Sequence, residues 1–419
     1  MSKFFAGRLT RRATRSLMAL SVVTGTAGLA IVLTASQPAS ADPGFTQALV
    51  GVGSDVTQDV YAGFEGLSPQ PGVGTQTPVS FPQLLSSAAT DSIGIASFDA
   101  YPPGGTTTNP GCIISKTGGP SFDRPNSSTA GINALLAATN GTGWENSSDS
   151  CTGATVNVTG EINFARSARG PNSTGSTLTF IPFARDALGI LVWEDGDTGN
   201  LSSLTTAQLT SLYTGSTGTI TVGGKTVYGC LTISGSVPRS QLEKALGITD
   251  SQANTAATAA GCPSISQNSG NAFQTFYDTL PSGSEAIIPI SAGSWIGQNN
   301  QVGVDRSNGA RSDGDYLTSI TISGSSPVDL GQPYSGSGTS EVPSTTYYEN
   351  TSWGYNIYTV VATSSISGFG ANAALESLFV GSSSAACATS ELNNVVHDFG
   401  FDSLTSSEGT CGSGTTGDS

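Results

Sequence analysis

The stretch LVGVGSDVTQDVYAGF, Leu49 to Phe64, changes character at its middle. An apolar run closes on Gly51 and Gly53. Ser54, Asp55 and Thr57 then open a segment in which Val56, Val60 and Phe64 recur four apart. That spacing puts the three apolar side chains on one face of a helix, so the stretch reads as a strand handing over to a helix. The turn between them is small, polar and glycine-bearing. A helix start has backbone N–H groups without partners and a partial positive charge, so it can hold an anion.

The same arrangement recurs twice. RPNSSTAGINALL places Asn126, Ser127, Ser128 and Thr129 before a helix with Ile132, Leu135 and Leu136 inward, and ISQNSGNAFQTFY places Gln267 to Asn271 before Phe273, Phe276 and Tyr277. Ser, Thr, Asn and Asp are also the ordinary N-caps of any helix, so each turn alone reads first as a plain cap, and only the recurrence of the arrangement suggests more. A fourth segment, INFARSARGP, sets Arg166 and Arg169 around Ser167 behind a short strand. Arginine offers a forked donor set that suits oxyanions, or pairs with a nearby acid at a surface.

Composition narrows the setting. Lys3, Arg8, Arg11, Arg12 and Arg15 precede an uncharged run from Leu17 to Leu33, and Ala39-Ser40-Ala41 follows. This order is that of a signal peptide, residues 1–41, cleaved on export. Thr10-Arg11-Arg12 hints at twin-arginine export. No cysteine stands at the cleavage point, so a lipid anchor is not expected. The exported part keeps ten basic residues against 30 acidic ones, a net charge of −20. So acidic a surface argues against nucleic acid and anionic membranes as partners.

Six cysteines, Cys112, Cys151, Cys230, Cys262, Cys387 and Cys411, all fall in the exported part. An even count in an oxidising compartment reads as three disulfides, with nearest-neighbour pairing as the expectation. No CxxC spacing occurs and His397 is the only histidine, so a metal site is a poor alternative. The segments 92–100, 178–193 and 286–291 read as strands, and 128–139, 205–213, 240–248 and 271–280 as helices. Strands alternating with helices predict an α/β architecture with parallel or mixed sheets. Gly/Ser/Thr-rich stretches around 101–126, 215–225 and 331–346 read as surface loops, and the polar tail is expected to be loose beyond Cys411.

GVGSDVTQ, INFARSARGP, LTFIPFARDALGILV, LTTAQLTSLYTG, SGN before a helix and AIIPISAGSWIGQ follow one another in this order. Together they resemble the phosphate-binding, type 2 periplasmic-binding-protein family of ABC importers, in its secreted actinobacterial branch. The resemblance covers about 48–300, and more loosely extends to about 404. It implies a two-lobe fold of mixed central sheets flanked by helices, joined by two crossing strands, with the ligand cleft between the lobes. On that pattern 42–183 begins lobe 1, 184–284 is lobe 2, 285–404 returns to lobe 1, and 405–419 is a tail. The resemblance implies backbone contacts from Asp55 and Val56, flanked by Ser54 and Thr57. It also implies a hydroxyl donor at Ser128 beside Thr129, and a third loop at Ser269, Gly270 and Asn271. Arg166, Ser167 and Arg169 complete the candidate set. Where phosphate binders of the family carry an Asp, Ala168 stands here, and where they carry an Arg, Ile265 stands. The implied protein is a monomer that binds phosphate or a similar small oxyanion without chemistry or cofactor and serves an ABC permease.

Two rival classes need weighing. A secreted hydrolase needs a base beside a nucleophile. His397 in NNVVHDFGF lies among apolar residues and no G-x-S-x-G elbow is present. Glu194, Asp195 and Asp197 could pair as in a glycosidase but read better as a solvated turn. Trp193, Trp295 and Trp353 could stack on a sugar, or belong to the core. The other rival is a cell-surface interaction module that keeps the fold and has lost the ligand.

Overall fold

A computed structural model of the chain describes residues 49–66, 83–85, 93–101, 111–146, 151, 153–193, 201–262, 264–307, 309–310, 314–368, 371–388 and 390–418. The expected signal peptide and Glu194, Asp195 and Asp197 lie outside the described residues. Among the described residues, ten strands form the main sheet. They are β1 (Leu49–Gly53), β2 (Ile95–Ser97), β3 (Phe164–Ser167), β4 (Ser173–Trp193) and β5 (Thr219–Val222), then β6 (Lys225–Gly229), β7 (Glu285–Ser291), β8 (Tyr316–Leu317), β9 (Gly354–Ala362) and β10 (Thr415–Asp418). Their order is β5-β6-β7-β4-β9-β3-β1-β2, with β8 and β10 also paired to β4. Pairs β1–β2, β1–β3 and β6–β7 are parallel and the others antiparallel.

β4 organises the whole. Its residues from Ser173 to Trp193 include a buried run of sixteen, Leu178 to Trp193, as a strand covered on both faces should have. Leu178 to Ala187 pair with β9, and Leu188 to Trp193 pair with β7. The strand therefore changes partner between Ala187 and Leu188 and carries the chain from one core to another.

One core gathers Ala187 to Trp193, Leu204, Trp295 and Trp353. It is covered by α3 (Thr206–Thr214), α4 (Val237–Leu246) and α5 (Asp250–Ala259), with α6 (Gly270–Tyr277) and α7 (Ala292–Asn299) beside them. The other half of the sheet has a core on each face. α2 (Ser128–Asn140) packs Ile132 and Leu135 against Val50, Val52 and Phe180. α1 (Gln58–Phe64) brings Val60 and Phe64 against Phe164 and Phe183, with Val56 just ahead of the helix in the same core. This is the mixed α/β arrangement, a central mixed sheet flanked by helices, expected of the sequence. Trp193, Trp295 and Trp353 are buried core residues.

Three disulfides join Cys112 to Cys151, Cys230 to Cys262 and Cys387 to Cys411, the nearest-neighbour pairing. Two expectations fail. The tail beyond Cys411 is not loose, because Thr415–Asp418 pairs with β4 and its backbone hydrogen bonds go to that strand. The glycine-rich stretches are not plain loops either. Cys112–Ile113 pairs with Phe122–Asp123, and Tyr334–Ser335 pairs with Val342–Pro343. Across 215–225 runs the β5–β6 hairpin, closed by Gly223 and Gly224, both at positive φ, as a two-residue turn matched to strand twist requires. No described helix is long and apolar enough to cross a membrane.

Candidate functional site

The turn from β1 into α1, residues 53–57, is the common neighbour of the other candidate segments. Gly53 has φ +125°, a conformation that costs little only without a Cβ. A Cβ there would lie 2.6 Å from the Arg166 carbonyl oxygen, and one on Gly131, in the first turn of α2, would lie 2.5 Å from the Gly53 Cα. Two glycines thus let the start of α2 touch the β1–α1 turn backbone to backbone.

Arg166 is fully buried behind this turn. Its Nε donates to the Ser54 carbonyl (3.3 Å) and Nη2 to the Gly53 carbonyl (3.2 Å), and Nη1 donates to the Ser97 hydroxyl. The Ser54 N–H in turn donates to the Arg166 carbonyl at 3.1 Å. The guanidinium therefore acts on the turn from behind. Burial works against its charge, and Asp99, Tyr61 and Glu65 favour it.

Ser127 caps α2 by accepting from the Ala130 N–H (3.1 Å), while the Ser128 hydroxyl accepts from the Ala168 N–H (3.0 Å). Ser167 is occupied locally with Arg169, donating to its carbonyl at 2.7 Å and accepting its N–H at 3.2 Å. The Arg169 Nη2 donates to the Thr129 hydroxyl (3.2 Å), and Thr129 is exposed. Arg169 and Thr129 thus form an outer pair.

The start of α6 meets the same turn from the other side. Asp55 Oδ2 accepts from Gln267 Nε2 and Asn268 Nδ2, both at 2.8 Å. Gln267 Oε1 accepts the Ser291 N–H at the start of α7 (3.0 Å). Ser294 on α7 donates to the Val56 carbonyl at 3.5 Å. Ser269 carries no side-chain cap bond and Gly270 is buried, while Asn271 is exposed. Ile265 is buried, its N–H donating to the Leu231 carbonyl at 3.0 Å.

Two features stand out electrostatically. Burial pushes the Asp55 carboxyl above its usual range, against the pull of the Gln267 and Asn268 amides. Beside it, the hydroxyls of Ser54, Thr57 and Tyr101 are buried with no hydrogen-bond partner among the described residues. A buried hydroxyl without a partner costs on the order of 1–3 kcal/mol, so Ser54 and Thr57 in the turn and Tyr101 near it call for a partner from outside the described residues. Residue reading did not select Tyr101, Asp99 or Arg306; Gln58 reaches Tyr101 by accepting its N–H at 3.1 Å. No local pattern marks these residues, because each arrives from a separate segment.

His397 lies at the end of a helix, Ser390–Asp398, with Nε2 3.1 Å from the Ser403 hydroxyl and 3.9 Å from Asp402 Oδ1. Serine and acid approach the same ring nitrogen, whereas a catalytic relay needs the acid on the other one.

No family model matches the chain, and no curated protein matches it. Solved structures do. An ABC-type phosphate transport receptor from Vibrio cholerae matches with 17% identity and a TM-score of 0.38 over 67% of this chain and 86% of that one. A putative phosphate ABC transporter substrate-binding protein from Clostridium perfringens, with bound phosphate, matches with 14% identity and a TM-score of 0.31, covering 54% and 72%. A possible phosphate binding protein from Planctomyces limnophilus matches with 10% identity and a TM-score of 0.36, covering 86% and 93%.

Proposed function

We propose that this is a secreted solute-binding protein that holds phosphate or a related small oxyanion at the β1–α1 turn and hands it to an ABC permease, with no chemical step. One observation carries the reading. The turn that holds Ser54, Asp55 and Thr57 is contacted by the starts of α2, α6 and α7, and it contains buried hydroxyl donors that no described residue satisfies. Ser128 and the loop at Ser269 and Gly270 would complete the cradle, with Arg166 adding charge from behind the turn.

We place the lobe boundary at Ala187–Leu188 and the return at β9 rather than at 285, because β7, Trp295 and Trp353 belong to the second core. Closing of the lobes on the ligand would then bend β4 and β9. Calorimetric titration with inorganic phosphate and sulfate tests the reading through Ser54→Ala and Thr57→Val. Removing an unpartnered buried hydroxyl should raise the unfolding free energy of the ligand-free protein by about 1–3 kcal/mol while weakening phosphate at least tenfold. Unchanged phosphate affinity in both variants, or no binding by the wild type, refutes it.

A further inference from the structure

Arg306 joins four elements that the candidate site needs in register. Its Nη1 donates to both carboxylate oxygens of Asp59 in the first turn of α1 (2.9 and 2.7 Å), and Nη2 donates to Asp99 Oδ2 just beyond β2 (3.1 Å). Its carbonyl oxygen accepts the Gly270 N–H, at the first residue of α6, at 2.9 Å. A Cβ on Gly270 would lie 2.3 Å from the Ser307 backbone carbon, so α6 starts directly on the arginine's own peptide. Gln298 on α7 accepts the Arg306 N–H at 3.0 Å.

The guanidinium is buried, yet the two carboxylates outweigh burial and hold it charged. Its Nε is buried without an acceptor among the described residues. Breaking a buried pair by removing one partner strands the other charge, so the first turn of α1 depends on this side chain directly, while the α6 start rests on the main chain of the same residue, which the paired guanidinium anchors.

We propose that Arg306 is the positioning residue of the anion site, fixing the start of α6 against the first turn of α1 so that Ser54 and Thr57 face a preformed cradle. This rests on the solute-binding reading. The test combines phosphate calorimetry with small-angle scattering of the ligand-free full chain, for wild type, Arg306→Gln, Arg306→Lys and Asp59→Asn. Arg306→Gln should weaken phosphate by on the order of tenfold or more and enlarge the ligand-free radius of gyration. Arg306→Lys, which keeps the charge and loses the fork, should recover part of both, a rescue that a packing role alone would not give. Should Arg306→Gln not fold, Asp59→Asn carries the same comparison with Asp99 still paired. Wild-type affinity and scattering in a folded variant overturn the proposal. If the wild type binds no phosphate, the solute-binding reading fails, and the scattering alone decides: an unchanged radius in Arg306→Gln and Asp59→Asn overturns the role of Arg306, and an enlarged one upholds it.

Discussion

Gly131→Ala asks whether the start of α2 truly rests on the β1–α1 turn. In an exposed helix interior the change would stabilise the protein by about 1 kcal/mol, because glycine loses more backbone freedom on folding than alanine. Here the new methyl would lie 2.5 Å from the Gly53 Cα and 3.0 Å from the Val52 carbonyl oxygen. Both are backbone atoms that cannot rotate aside, so the helix must back away by roughly an ångström. Overpacking of this kind costs about 1–3 kcal/mol, and two backbone clashes put it at the upper end. The net expectation is destabilisation by about 2 kcal/mol, opposite in sign to helix propensity. Urea unfolding followed by circular dichroism reads the midpoint directly. A Gly131→Ala protein as stable as wild type, or more so, would show that the two segments do not touch, and the proposed cradle would lose one wall.

Asp186, at the point where β4 changes partner, is fully buried and pushed up to about 6 by that burial, although Ser291, Tyr355, Gly293 and Ala187 all donate to it. Native protein therefore takes up a proton near pH 6 that the unfolded chain takes up only near 3.8. Stability should rise as pH falls from 7 towards 4, by up to about 3 kcal/mol. Asp186→Asn should flatten that rise in urea unfolding at stepped pH, and an unchanged slope would contradict the assignment. Replacing Cys387 and Cys411 together by alanine opens a loop with a sequence separation of 24 and should cost about 3–4 kcal/mol. Hydrogen exchange should then speed up in β10 before β1, and equal protection in both strands would contradict the pairing of the tail with β4.

The apolar run of β4, the four-residue spacing through Val56, Val60 and Phe64, and the small polar residues before α2 and α6 are local signals, and these elements appear where the sequence places them. Helix α5, DSQANTAATA, was missed because its buried face is only Ala253, Ala256 and Ala257, too weakly apolar to show a period. The β5–β6 hairpin was missed although Gly223-Gly224 is a turn signal, since its strands, TITV and KTVYG, are short and bury only Val227 and Gly229. At the site, Arg166 and Ser128 were legible as types. Their partners were not: Arg166 spends its donors on carbonyls of the turn, and Ser128 receives the Ala168 N–H. The cluster of Asp59, Asp99 and Arg306 spans sequence separations of 247 and 207 residues, beyond any local pattern.

The most direct measurement is a crystal structure of the chain from residue 42 onward, grown in phosphate. Tetrahedral density within hydrogen-bond distance of the Ser54 and Thr57 hydroxyls, against the start of α6, is the expected result. Phosphate bound elsewhere, or a β1–α1 turn left unoccupied at saturating phosphate, would contradict the account.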